Sequence, residues 1–303
     1  HTAHGLKPML NLTTTLPTLT VLTPHWSEYS LLDSGASRKL ERFGTRLVVR
    51  SEPKAWWQPS LPPGEWQKAV ALCDSEGVWS FPKPISTEWL LRYQRLTLQA
   101  RFTQMSKHVG VFPEQSSHWE WIQAHGRAHR QLRLLSLFGY TGAASLAAAQ
   151  AGFAVTHVDA SKPALSWAKQ NQALSALENA PIRWILDDAL KFVQREGRRG
   201  NRYDALLLDP PAFGRGPKQE LWKVQKHLPL LLEACRQVLS DEPLFIVLTM
   251  YAIEASPLMI GNLLAGMTKG LGGSLELGEL ALAPESGGNI LPLSIFGRWL
   301  GAA

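Results

Sequence analysis

A chain of 303 residues with 45% hydrophobic and 18% charged side chains is long enough for two domains with separate cores, and its composition argues against disorder. No apolar stretch nears the roughly 20 residues that span a bilayer, and no basic start with an apolar run marks a signal peptide. Two cysteines, Cys73 and Cys235, are too few for a disulfide framework or a zinc cage, and the net charge of +6 is unevenly spread.

Up to Arg130 there are fifteen Lys/Arg against ten Asp/Glu, and from Gln131 sixteen against fifteen. The first part therefore suits a polyanionic partner, although a solvated surface would read the same way. Sparse cysteine is the usage of a reduced compartment, so a cytoplasmic protein is expected. The chain opens on His1 rather than Met, and residues 1–6 read as an appended or truncated start.

Along the chain, the first 110 or so residues are rich in Pro, Gly and Trp, with short extended segments at 47–50 and 78–81. Residues 95–103 alternate strictly. Leu96, Leu98, Ala100 and Phe102 share one side, and Arg95, Thr97, Gln99, Arg101 and Thr103 the other, which predicts a half-buried strand of a mostly antiparallel sheet. Its polar side is a candidate phosphate contact through Arg95 and Arg101. Eight of the twelve tryptophans fall before Gln131. Trp beside Arg can stack a base, but most such residues pack a core.

From Gln131 the rhythm becomes strand, loop, helix, repeated. Strands are expected at 132–138, 154–158, 182–186, 203–208 and 244–249, and helices at 143–151, 162–176, 189–195 and 223–239. Continuous apolar runs such as Ala205-Leu206-Leu207-Leu208 suit strands buried on both faces of a parallel sheet. The alternation predicts a doubly wound α/β sheet, whose ligands bind beyond the carboxyl ends of the strands.

Those ends carry the chemistry. After the first strand comes Phe138-Gly139-Tyr140-Thr141-Gly142, a Gly-x-x-Gly turn into a small-residue helix, fit for close approach of a ligand or for a plain turn. It lacks the Gly-x-Gly-x-x-Gly pattern of dinucleotide binders, which disfavours a nicotinamide oxidoreductase. The second strand ends in Asp159-Ala160-Ser161, with Ser161 the expected helix cap and Asp159 left for ribose hydroxyls. The third ends in Asp187-Asp188-Ala189, where one acid caps a helix and the other, Asp188 preferred over Asp187, meets an adenine amine. The fourth delivers Asp209-Pro210-Pro211-Ala212-Phe213, in which two prolines fix the backbone and hold a carboxylate and carbonyls beside an aromatic ring.

In order, these loops resemble class I S-adenosylmethionine methyltransferases, and more narrowly the Asp-Pro-Pro-Phe branch that includes bacterial 23S (large-subunit) ribosomal RNA methyltransferases. The resemblance runs from Val109 to the C-terminus, and more weakly over Tyr29 to Phe43. It implies an α/β, Rossmann-like seven-stranded sheet at residues 129–303, closed by an antiparallel strand near 290–300, with a smaller, mostly β recognition domain at 1–128. It implies S-adenosylmethionine as donor and S-adenosylhomocysteine as product. The donor would be held by Phe112, Gln115, Phe138, Gly139, Tyr140, Thr141, Gly142, Asp159, Ala160, Ser161, Asp187, Asp188, Ala189 and Asp209. Asp209, Pro210 and Phe213 would lie at the transferring methyl. The family's Phe-x-Asp-Gln-Arg segment matches Phe112-Pro113-Glu114-Gln115-Ser116 in part, with Ser116 in the place of the Arg.

Methylation at cytosine carbon-5 needs a thiolate that first adds to the ring. The branch's thiol follows the fifth strand, where this chain reads Thr249-Met250-Tyr251. Cys235 shares an apolar helical stripe with Leu231 and Val238 and reads as core. A base nitrogen of ribosomal RNA is therefore the expected acceptor, with no metal and no membrane partner. A protein side chain or small molecule as acceptor, and an idle RNA-binding protein on the same fold, are the alternatives.

Overall fold

The computed structural model describes residues 18–126 and 131–302. Residues 1–6 and the boundary expected at 128/129 lie outside the described residues.

In chain order, β1 (Leu19–Leu22) is followed by β2 (Tyr29–Gly35), β3 (Arg38–Phe43) and β4 (Arg46–Ser51). Next come the short α1 (Pro63–Trp66), β5 (Ala71–Cys73), β6 (Trp79–Ser80) and the hairpin β7 (Glu88–Tyr93) and β8 (Leu96–Arg101). A single 3-10 turn at Pro113–Gln115 leads into α2 (Ser116–Ala124). The alternating region then gives β9 (Arg133–Leu137), α3 (Ala143–Gln150), β10 (Ala154–Asp159), α4 (Lys162–Leu174), β11 (Ile182–Leu186), α5 (Ala189–Arg198) and β12 (Ala205–Leu208). A small hairpin, β13 (Phe213–Arg215) and β14 (Leu221–Lys223), precedes α6 (Val224–Gln237), β15 (Phe245–Tyr251), α7 (Pro257–Met267), β16 (Ser274–Leu282) and β17 (Leu291–Leu300).

The main sheet has the order β1-β16-β17-β15-β12-β9-β10-β11. Strands β12, β9, β10, β11 and β15 run parallel, and β17 enters antiparallel between β15 and β16. These are the seven strands expected, joined by an eighth from the other end of the chain. β1 pairs in parallel with β16, and Gly278 makes the approach possible, since a Cβ there would sit 1.8 Å from the Thr20 carbonyl oxygen.

The apolar runs are double-faced, as a parallel sheet requires. Leu135, Leu137, Leu206, Leu208, Ile246 and Leu248 pack with α5 and α6 residues such as Phe192, Leu231 and Cys235 on one face. Leu134, Ala205, Leu207 and Val247 pack with Ile122, Ala148 and Phe153 on the other. No helix among the described residues is long and apolar enough to cross a membrane.

The N-terminal part forms a five-stranded sheet, β2-β3-β4-β5-β6, and the separate β7-β8 hairpin. Its core is continuous with that of the main sheet's flank, for Leu91, Leu96 and Leu98 cluster with Trp119, Leu146 and Ala147. At Gln99 and Arg101 the polar side of β8 is a seam and not a free face, while Arg95 just before the strand stays exposed. The Gln99 N–H donates to Asn171 Oδ1 at 2.8 Å, and the Trp167 indole N–H donates to the Gln99 carbonyl at 2.9 Å, both partners on α4. Arg101 lies over the Trp167 ring and pairs with Glu88 at 3.3 Å. Alternation alone could not tell solvent from a packed helix, so Arg101 is a strut between elements and not an open phosphate contact.

Candidate active site

The loops after β9, β10, β11, β12 and β15 open on one cavity of about 810 Å³, within the usual range of small-molecule sites. Its far wall comes from β3, β4 and the segment after β8.

The first loop is strained where it turns. Phe138 and Tyr140 have φ of 58° and 53°, and Gly142 has φ of 87°. Non-glycine residues in this region cost energy and cluster at ligand sites. Gly139, between the two aromatics, has no room for a side chain, because a Cβ would meet the buried His157 ring at 2.2 Å. The shape is held by Asp159, whose Oδ2 accepts the Tyr140 N–H at 2.8 Å while its Oδ1 accepts the Ser161 N–H at 2.8 Å. Burial raises the Asp159 carboxyl above its ordinary value. Ser161 caps α4, its hydroxyl accepting the Ala164 N–H at 3.2 Å.

After β11 the acids divide their work differently from expectation. Asp188 is the cap of α5, accepting the Lys191 N–H at 2.9 Å. Asp187 pairs with Arg195 at 2.5 Å, one turn further along the helix, and accepts the Asp188 N–H at 2.8 Å. Both line the cavity.

Asp209 stands at the end of β12, half-buried. Its Oδ2 accepts from Gln115 Nε2 at 3.2 Å, and the same amide donates to the Tyr251 hydroxyl at 3.0 Å. That hydroxyl in turn donates to Glu114 Oε1 at 3.0 Å. Loss of solvent, then repulsion from Glu114 and Asp159, pushes the Asp209 carboxyl up to about 8. Glu114, buried at 4% exposure, is likewise raised by burial.

The cavity thus gathers Phe112, Phe138, Tyr140, Asp159 and Asp209 with the residues beside them. Gln115, Gly139 and Thr141 line a smaller adjoining pocket that shares Phe138, Tyr140 and Asp209 with it. Thr141 is turned away, its hydroxyl donating to the Gly110 carbonyl at 2.6 Å. Gly142 lines neither pocket and starts α3 against Ala168 and Trp184. Phe213 lines neither and is 57% exposed, because β13 alternates and turns Ala212 and Gly214 inward. The aromatic ring on that wall is instead Trp222, from β14, whose indole N–H donates to the Pro211 carbonyl at 2.7 Å.

A family model described as Conserved hypothetical protein 95 matches residues 115–241. A ribosomal RNA large subunit methyltransferase K/L of Hahella chejuensis is 38% identical over 133 residues, which are 43% of this chain and 18% of that protein. The protein of the same description in Shewanella sp. strain ANA-3 is 36% identical over 110 residues, covering 35% of this chain and 15% of its own length. The chain therefore spans less than a fifth of these curated relatives. A solved SAM-dependent methyltransferase from Agrobacterium tumefaciens is 45% identical, with a TM-score of 0.90 over 94% of this chain and 95% of that one. The chain belongs to the S-adenosylmethionine-dependent methyltransferases. A structure described as a SAM-dependent methyltransferase of Streptococcus mutans, 16% identical with a TM-score of 0.70 over 90% of this chain and 75% of that one, shares the fold.

Three of the cavity residues that sequence reasoning passed over in this methyltransferase lie around the Asp209 loop. Glu114 sits inside the Phe112–Gln115 segment, and Tyr251 is the last residue of β15, in the Thr249–Tyr251 stretch where a thiol was sought. Trp222 carried no local signal, since only the β13-β14 hairpin brings it to the Asp209 loop. Both thiols are buried and line neither pocket, Cys235 in the core under α6 and Cys73 in β5.

Proposed function

We propose that this methyltransferase modifies a base of ribosomal RNA at a nitrogen, in the cytoplasm. Residues before about 129 would recognise the RNA, and those after it hold the donor. The observation that carries the reading is the convergence of five strand-end loops on one cavity that also holds the raised carboxyl of Asp209. The RNA substrate rests on the relatives named for large-subunit ribosomal RNA and on the basic bias of the first 130 residues.

The residues fit the donor. Each Asp159 oxygen accepts one backbone N–H and keeps a lone pair for a ribose hydroxyl. Asp188 would meet the adenine amine with the carboxylate oxygen not used in capping, and Phe138, Gly139 and Tyr140 would border the methionine part. Phe112, Gln115, Thr141, Gly142, Ala160, Ser161, Asp187 and Ala189 would shape the same site. S-adenosylmethionine would supply a sulfonium methyl whose carbon a nucleophile can attack, with S-adenosylhomocysteine as the leaving group.

The protein's own part is alignment. Asp209 and the Pro210 carbonyl would accept N–H bonds from a planar acceptor and turn its lone pair toward the methyl. Ionised, Asp209 takes the proton that an amine nitrogen sheds, and a pKa near 8 suits that exchange at neutral pH. Gln115 holds the carboxylate in place, and Trp222 offers the stacking face first assigned to Phe213. Both thiols lie outside the cavity lining, which favours nitrogen over carbon-5.

The test is nucleoside mass spectrometry of ribosomal RNA from a strain lacking the gene, followed by transfer of labelled methyl to that RNA by the purified protein. Loss of one N-methylated nucleoside and its restoration in vitro are expected. Loss of 5-methylcytidine instead, or an unchanged RNA profile, would overturn the reading.

A further inference from the structure

One wall of the cavity carries more cations than its carboxylates neutralise. Lys39 on β3, Arg50 on β4, Lys54 just after it and Lys107 after β8 all line it. Two buried acids lie among them. Glu41 is clasped by Arg50 through bonds of 2.6 and 2.7 Å and by the Tyr29 hydroxyl at 2.7 Å. Glu52 pairs with Lys39 at 3.3 Å.

That leaves Lys54 and Lys107. The Lys54 ammonium donates to the Leu293 carbonyl at 2.5 Å, and the Lys107 ammonium to the Ser51 carbonyl at 3.2 Å. Among the described residues neither forms an ion pair with a carboxylate. A lysine ammonium has three donors, so each keeps two for a ligand. Glu114 also lines the cavity, where burial raises its carboxyl and the Tyr251 hydroxyl donates to it at 3.0 Å.

The field at this wall is felt by neighbours. Burial, then the charges of Arg50, Lys107 and Lys39, pushes His108 down to about 4. Lys107 is itself held below its ordinary value, first by burial. The strand-end loops bring Asp159, Asp187, Asp188 and Asp209, together with Arg215, to the same cavity. Cations kept without carboxylates in a cavity signal an anionic occupant.

We propose that Lys54 and Lys107, backed by Lys39 and Arg50, form a phosphate-binding wall that grips a phosphodiester of the acceptor RNA next to the nucleotid being methylated. This rests on the RNA reading above and moves the phosphate contacts from the Arg95 and Arg101 face into the cavity. A phosphodiester and the donor's carboxylate share the chemistry that such a wall recognises, and the experiment separates them.

The full-length protein and the Lys54→Gln, Lys107→Gln and double variants would be titrated with protein-free large-subunit ribosomal RNA over a range of salt. S-adenosylhomocysteine and 5′-methylthioadenosine, which lacks the carboxylate, would be titrated in parallel. Each lost phosphate contact flattens the slope of log affinity against log salt by about 0.7 to 0.9. The double variant should therefore lose about 1.4 to 1.8 of slope and each single variant half of that, which keeps the test sound if the double variant fails to fold. Binding of both nucleosides should stay within about twofold of the parent, and Lys68→Gln, at an exposed pair with Glu65, should change nothing. An unchanged slope in variants of a parent that binds RNA overturns the wall and leaves the RNA reading standing. Selective weakening of S-adenosylhomocysteine with an unchanged RNA slope gives the wall to the donor and also overturns it. A parent that binds no RNA removes the RNA reading and the wall with it.

Discussion

Replacing Asp159 with Ala removes a carboxylate with two tasks. Its oxygens accept the Tyr140 and Ser161 N–H groups, each at 2.8 Å, and their remaining lone pairs are assigned to the donor's ribose. A hydrogen bond to a charged group contributes about 1.5–3 kcal/mol, so two such bonds to ribose hydroxyls are worth about 3–6 kcal/mol. Micromolar binding corresponds to about −8 kcal/mol. The loss is therefore a large share of the whole, two to four orders of magnitude in affinity at about 1.4 kcal/mol per factor of ten. The Tyr140 N–H also loses its acceptor in a loop already strained by φ of 53°, which adds to the loss. Asp159→Asn keeps one acceptor oxygen and should lose about half as much on the free-energy scale. Isothermal titration with S-adenosylhomocysteine measures both, with near-ultraviolet circular dichroism as the control for folding. A folded Asp159→Ala protein that binds within about threefold of the parent would refute the ribose role.

Asp209 has a folded-state pKa above its ordinary value, so the fold favours the protonated form, and stability should fall as pH rises from 3.8 through about 8. Asp209→Asn should flatten that fall in thermal melts across this range; an unaltered pH profile would count against the assignment. The same variant should lower methyl transfer by about two to four orders of magnitude with donor binding kept, and the parent's kcat/KM should rise through about pH 8 while the variant's should not. Replacing both Cys73 and Cys235 with Ala should leave transfer within a few-fold, and a folded but dead protein or a trapped covalent RNA adduct would defeat the nitrogen-acceptor reading. Gly139→Ala drives a Cβ to 2.2 Å from the His157 ring, so calorimetry should show about 1–3 kcal/mol lost in stability and donor binding weakened with it. Glu41→Gln leaves Arg50 buried without its countercharge and should cost about 3–5 kcal/mol in denaturant unfolding.

Several parts of the molecule were readable along the chain because their causes are local. A strand covered on both faces is favoured by a continuous apolar run, and Ala205–Leu208 is one. A helix start needs a short side-chain acceptor, and Ser161 before Lys162-Pro163 supplies one. The loop acids of the cavity, and Gly139 in the smaller pocket beside it, announced themselves by following strands directly.

Roles that depend on a distant partner were not readable in this way. Adjacent acids look alike until α5 is built; then the helix start claims Asp188 and Arg195 claims Asp187. Phe213 and Trp222 exchange places because antiparallel pairing of β13 with β14 decides which ring faces the Asp209 loop. Arg101 looked free on an alternating strand, but α4 lies against that side and supplies Trp167.

The doubly wound sheet from β9 onward, the strand-end loops that line the cavity and the absence of a thiol over Thr249–Tyr251 were legible in the residues alone, since each is set within a few positions along the chain. The tertiary structure alone decided that β1 joins β16 and that Lys39, Arg50, Lys54 and Lys107 line one cavity with Asp209. Their excess charge becomes a site only when three separate segments are brought to the same cavity, because electrostatic interaction falls with distance in space and takes no account of distance along the chain.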